Sequence, residues 1–174
     1  MESNGKSVDR AGKSISQSSP VVFGSAGSNA QHSYFQLLHQ GTDVVPIDFI
    51  AVRKPMSDRP EALAHHRILL SNCLAQAQAL AHGKKADNPN DVYPGKRPSS
   101  LLLLPELNAF YLGALLALYE NRAATLGALW DINSFDQPGV EYGKVLAKPI
   151  EKALASSEEI TKPVDGIDAI TASR

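Results

Sequence analysis

The sequence predicts an α/β fold with a mostly parallel sheet in three α/β/α layers. Three observations predict it. Short β-branched or leucine-rich runs alternate with longer segments of helical apolar spacing. The run Ser100–Leu104 is continuously apolar, as expected of a strand covered on both faces. The connections between strands are long enough to carry crossover helices.

Three strands are expected. Val21-Val22-Phe23-Gly24 is the first, a buried strand followed by a glycine turn. Residues 44–52 form the second, with Pro46 near its start. Ser100–Leu104 is the third. Ser28 and Gln31 fit a capping box, which opens a helix over 29–40 that stops at Gly41. Residues 61–82 read as a helix with Leu63, Leu70, Leu74, Ala77 and Ala81 along one side. Residues 83–99, rich in Gly, Pro and Asn, form a long surface connection. A further helix over 106–122 has Leu107, Phe110, Tyr111, Ala114, Leu115 and Leu118 along its seam. Residues 125–132 are short and apolar, so strand and buried helix both stay open.

A last helix starts at about 137. Asp136 suits its N-cap and Pro138 its first turn. Gln137, Glu141, Lys144 and Lys148 share one face. Val140, Gly143, Leu146, Ala147 and Ile150 share the other. Pro149 crowds the carbonyl of Val145, so a kink or an end is expected near Lys148. The polar residues 156–174 read as a loosely held tail.

Composition narrows the classes. The 174 residues suit one domain, and 43% apolar residues are enough for a core. A net charge of −1 offers nothing to nucleic acid or an anionic membrane. Leu101–Tyr119 is interrupted by Pro105, Glu106 and Asn108, too often to span a bilayer. Cys73 is the single cysteine, so no disulfide forms within the chain, which fits a reducing cytosol. His65 and His66 are adjacent and point apart, which disfavours a metal pair.

Three stretches carry chemistry. Met1-Glu2-Ser3-Asn4-Gly5-Lys6 opens the chain. Gly27-Ser28-Asn29-Ala30-Gln31-His32 places His32 in the first turn of the expected 29–40 helix. The partial positive charge of that turn disfavours imidazolium, leaving a base suited to proton transfer near neutral pH. Ser134-Phe135-Asp136-Gln137, then Gly139-Val140-Glu141 and Lys144, put an amide and an ammonium two turns apart. By themselves Glu2, Gln137 and Lys144 read as solvated polar groups, and His32 as a histidine bonded to a nearby loop.

Together, and in this order, the three stretches resemble the glucose-6-phosphate isomerase (phosphoglucose isomerase) family. Ala30 stands where glycine is usual, and Pro138 where tryptophan is often found. The resemblance runs from Met1 to about Leu154. It implies a cytoplasmic isomerase of glycolysis and gluconeogenesis that interconverts glucose 6-phosphate and fructose 6-phosphate through an enediolate. Glu2 matches the proton-shuttling base, His32 the histidine that assists ring opening, Lys144 the lysine near the ring oxygen, and Gln137 a substrate contact. His39 matches a second, non-catalytic histidine. No metal or organic cofactor is implied.

The family is dimeric, and its histidine reaches into the partner's site. The resemblance also makes Met1 an internal methionine. Residues 1–155 would be the C-terminal part of the large domain, lacking the phosphate grip and a Gly-Gly-Arg segment that lie upstream. A chain of this extent is expected to be inactive and poorly soluble alone. The competing class is a non-catalytic sugar-phosphate-binding or assembly module.

Overall fold

The computed structural model describes residues 1–155, apart from the side chain of Ala153. The polar tail expected over 156–174 lies outside the described residues. The chain forms two compact units. One comprises residues 22–120; the other joins residues 1–21 to those from Asn121 onward.

The unit of residues 22–120 holds a parallel sheet. Strand β1, Ile47–Val52, pairs with β2, Ser99–Leu104, in a register that sets Ile47 against Ser99 and Val52 against Leu104. Helix α3, Pro60–His82, connects them and packs on both strands. Pro60 occupies its first turn, where no N–H is required, and Glu61 complements the positive end of the helix. Gly83 ends it in a left-handed conformation, φ 67°, its N–H donating to Ala79 O at 2.8 Å. Gly95 shares that φ, and a Cβ on either glycine would strike the other's backbone. Only glycine lets these two chain segments pass so closely.

Two short helices precede β1: α1, Gly27–Ala30, and α2, Phe35–Gln40. Ala30, Phe35, Leu38 and Leu80 form the buried cluster, with Tyr34, Val45, Ile47 and Phe49 packed against it. Arg97 is buried beside it. Its guanidinium donates to Asp43 O at 2.8 Å and Gly41 O at 2.5 Å, so each carbonyl satisfies a donor that burial would otherwise leave costly. Ile50, Leu101 and Leu103 remain 41–50% exposed, so the sheet is open where a parallel sheet is normally covered.

Several expectations change. The 29–40 helix is two short helices separated by a turn over residues 31–34. Tyr34 leaves helical geometry at φ −132°, ψ 1°. Its ring packs edge-on against Phe23 and stacks on Phe35. No side chain caps α1, so the Ser28 box does not form. Val21–Gly24 is exposed and lies outside the sheet. Its apolar character signalled a strand, but a strand also needs an adjacent ladder.

Helix α4, Ala109–Leu129, starts later and runs farther than expected, absorbing most of 125–132. Tyr111, Leu115 and Tyr119 are its inward residues before Glu120, and Ala123 and Leu126 those after it. Leu107, Phe110 and Leu118 are exposed. In α3 the inward stripe is Leu63, His66, Leu70, Cys73, Ala77 and Leu80, while Leu74 and Ala81 are exposed. Both stripes keep helical period, shifted from the one that side-chain type alone suggests. Partial burial raises the Cys73 thiol above its ordinary pKa, which favours the thiol over the thiolate.

Helix α5, Pro138–Ala155, continues through Pro149 rather than ending near Lys148. Among its described side chains Leu146, Pro149 and Ile150 are half-buried, whereas Val140, Gly143 and Ala147 on the expected apolar face are exposed. No helix among the described residues is long and apolar enough to cross a membrane.

Candidate active site

Three of the four expected site residues, Glu2, Gln137 and Lys144, fall in the unit built from both ends of the chain. His32 falls in the other unit.

Glu2 is exposed at the start of a turn over residues 2–4. The segment that carries it is stitched inward by its neighbours. Asn4 is buried, at 4% exposure. Its Nδ2 donates to Ala123 O on α4 at 2.7 Å, and its Oδ1 accepts from Ser134 Oγ at 2.5 Å. Its carbonyl accepts from the N–H of Lys6 and Ser19. The buried amide is satisfied on both ends, as burial demands. Gly127 makes room for this junction, because a Cβ there would run into Ser134 Oγ.

Lys6 provides the second stitch. Its Nζ donates to Ser3 O at 2.9 Å and to Asp136 O at 2.9 Å, pairs with Asp136 Oδ1 at 2.7 Å, and also reaches Asn133 O. Asn133 holds the loop's own geometry: its Oδ1 accepts from the Phe135 N–H and its Nδ2 donates to Asp136 Oδ2. Asp136 therefore does not act as the expected N-cap. Its carboxylate is turned to Lys6 and Asn133, because an ammonium offers it a stronger, charge-assisted partner than a helix N–H. The hydrogen bond from Lys6, reinforced by the lysine's charge and the Asn133 bond, holds this carboxyl below the ordinary aspartate range.

The loop is closed from α4 by Asp131, in left-handed geometry at φ 55°. Arg10 N donates to Asp131 O at 2.8 Å and Arg10 Nε to its Oδ1 at 2.6 Å. Ile132 is buried beneath. Gln137 follows directly, half-buried, its carbonyl taking the Val140 N–H as α5 begins. Lys144 lies two turns on, exposed, with its Nζ 2.6 Å from Glu141 Oε1. That pair is solvated and worth little, so it leaves Lys144 free to exchange partners.

His32 stands exposed in the turn between α1 and α2, its N–H bonded to Asn29 O at 3.1 Å. It is not in the first turn of a continuous helix, so the helix-dipole basis for a neutral imidazole does not apply. His39, by contrast, is half-buried and bonded to Gln76 at 2.8 Å, a structural role. His66 bonds Arg53 O at 3.0 Å, and no group of His, Cys, Asp and Glu suited to a metal ion occurs among the described residues.

Nothing in the sequence marks Asn4 or Lys6 as ties between distant segments. Their partners lie 119 to 130 positions away, a separation that no periodic pattern reports. An open hollow beside Asp9, Lys13, Ser16 and Trp130 contains none of the four expected site residues.

The family model for phosphoglucose isomerase matches residues 1–173. The glucose-6-phosphate isomerase of Polaromonas naphthalenivorans is 51% identical over 173 residues, covering 99% of this chain and 32% of that protein. Glucose-6-phosphate isomerase 2 of Cupriavidus pinatubonensis is 52% identical over 167 residues, covering 88% and 30%. The crystal structure of a glucose-6-phosphate isomerase from Chlamydia trachomatis superposes with a TM-score of 0.77 at 43% identity, over 91% of this chain and 32% of that one. The chain thus spans about a third of the length of the relatives it matches. A match along nearly its whole length, at half identity and on the same backbone, makes this chain a member of the phosphoglucose isomerase family.

Proposed function

We propose that this chain supplies the proton-transfer groups of an isomerase that interconverts glucose 6-phosphate and fructose 6-phosphate. The observation that carries the reading is the Lys6 stitch. One ammonium ties the residue after Glu2 to the residue before Gln137, within a chain whose relatives carry the isomerase name.

In this reading His32 and Lys144 open the sugar ring, moving a proton between the ring oxygen and the C1 hydroxyl. Glu2 then takes the proton from C2 of the open aldose. The electron pair moves into a C1–C2 double bond, and the C1 oxygen carries the enediolate charge. The same carboxyl returns the proton to C1, while the hydroxyl proton passes from O2 to O1, leaving the ketone at C2. Gln137 orients the sugar. No cofactor takes part.

The phosphate grip belongs to the part of the relatives that this chain does not span, so the chain alone binds sugar phosphate weakly and turns over poorly. The working form is a cytoplasmic homodimer in which His32 serves the neighbouring subunit's site.

A coupled assay for fructose 6-phosphate formation tests this. The chain alone is expected to give no turnover above background, and the chain together with the upstream two thirds of a relative is expected to give it. Tight binding of glucose 6-phosphate without turnover in either form would favour the non-catalytic binding module instead.

A further inference from the structure

We propose that Lys6 is a positioning residue for the isomerase reaction: its ammonium is the clamp that holds the Glu2 segment against the loop that delivers Gln137. The proposal deepens the reading above and rests on it for its kinetic consequence alone.

A lysine ammonium has three hydrogens to donate. Lys6 Nζ faces four acceptors: the carbonyls of Ser3, Asn133 and Asp136, and the Asp136 carboxylate. All its donors are spent on protein, and its side chain is only 16% exposed. It has nothing left for a substrate, which sets it apart from Lys144, whose side chain is 64% exposed beside a single solvated carboxylate. So Lys6 cannot act on the sugar and must act through what it holds.

What it holds is specific. Ser3 is the residue after Glu2, and Asp136 is the residue before Gln137. The two are 133 positions apart in sequence, and a single cation bridges them. Asn4, one residue past Ser3, and Ser134, two residues before Asp136, make a second tie between the same two segments. Lys6 adds charge to that tie, gathering three carbonyl dipoles and one carboxylate whose mutual repulsion would otherwise push the loop and the turn apart. Glu2 is itself exposed, so its position depends on this backbone rather than on packing of its own side chain.

Displacing a catalytic base by about 1 Å costs on the order of 100-fold in rate. The test compares Lys6 with Lys6→Met, which keeps the apolar stem and removes the charge, and with Lys6→Arg, which restores it. Hydrogen–deuterium exchange on this chain is the first arm. In Lys6→Met, residues 1–6 and 133–137 should both exchange about 10-fold faster, with α3 unchanged. Acceleration in one segment only, in neither, or in α3 as well would overturn the clamp.

The second arm is kinetic, in the longest form of the protein that turns over glucose 6-phosphate. Lys6→Met should lower kcat about 100-fold with KM within threefold, and Lys6→Arg should recover at least a tenth of the loss. A fall in activity that only tracks the folded fraction, or a KM effect without kcat, would overturn the positioning role. Should no form show turnover with Lys6 intact, the isomerase reading fails while the exchange arm still decides the clamp.

Discussion

The two units are held together by different physics. Residues 22–120 rest on an apolar cluster, Ala30, Phe35, Leu38 and Leu80, backed by the β1–β2 ladder. Among the described residues of the unit with Glu2 and Gln137, Ile132 is the buried large apolar side chain, and polar ties from Asn4, Lys6 and Arg10 join its two ends. An apolar core tolerates pH and salt but not lost volume. Directional polar ties place atoms to within a hydrogen bond's tolerance, and they fail when one partner is removed or protonated. The contrast suits the proposed chemistry, in which a carboxylate must meet a C–H bond and placement matters more than bulk.

The largest effect that would break this contrast lies in the apolar unit. Leu80 is fully buried, and Leu80→Ala should cost about 2–5 kcal/mol in a urea melt. A loss below about 1 kcal/mol would mean that the cluster is not what holds residues 22–120. In the polar unit, Asn4→Ala strips partners from Ala123 O and Ser134 Oγ. That should cost about 1–3 kcal/mol, with exchange rising in 133–137 before α3. An equal rise in both units would erase the distinction.

Acid should loosen the tie between Lys6 and Asp136. The Asp136 carboxyl titrates below its unfolded value, so its contribution is present above the unfolded pKa and is lost as pH falls through the folded one. Carbon-13 NMR should place its midpoint below that of an ordinary aspartate, and Lys6→Met should move it upward. An unchanged midpoint would remove Lys6 as the cause. The smallest effect belongs to the exposed Arg10–Asp131 pair: Arg10→Ala should change stability by about 0–1 kcal/mol, and less at high salt.

A further outcome concerns solubility. Ile50, Leu101 and Leu103 on the open sheet, with Phe110 and Leu116 on α4, present apolar surface to water. Light scattering should report self-association of the isolated chain at micromolar concentration. A monodisperse sample would mean that these side chains are tolerated in water as they stand.

Much of the fold was legible where a single element carries its own signal. The apolar spacing over 61–82 marks α3, and the leucine run marks β2. The errors came where a partner decides the outcome. Val21–Gly24 has strand chemistry but lies outside the sheet. Tyr34, drawn to Phe23 and Phe35, breaks the 29–40 helix, although its propensity alone is compatible with one. Pro149 predicts a kink or an end of α5 near Lys148; the helix does not end there but runs on to Ala155. The family was legible through its three motifs, whereas the ties from Asn4 and Lys6 were not. They join residues that only the fold makes neighbours.

The most direct measurement follows deuterium from solvent D2O into the C1 and C2 positions of the sugar phosphate, comparing Glu2 with Glu2→Gln in the longest active form of the protein. Incorporation that falls at least about 1,000-fold in Glu2→Gln, with the fold intact by circular dichroism, is the predicted result, since losing the base forfeits about 4 kcal/mol of barrier lowering. Incorporation that persists undiminished in Glu2→Gln would contradict the assignment of the proton transfer to this residue.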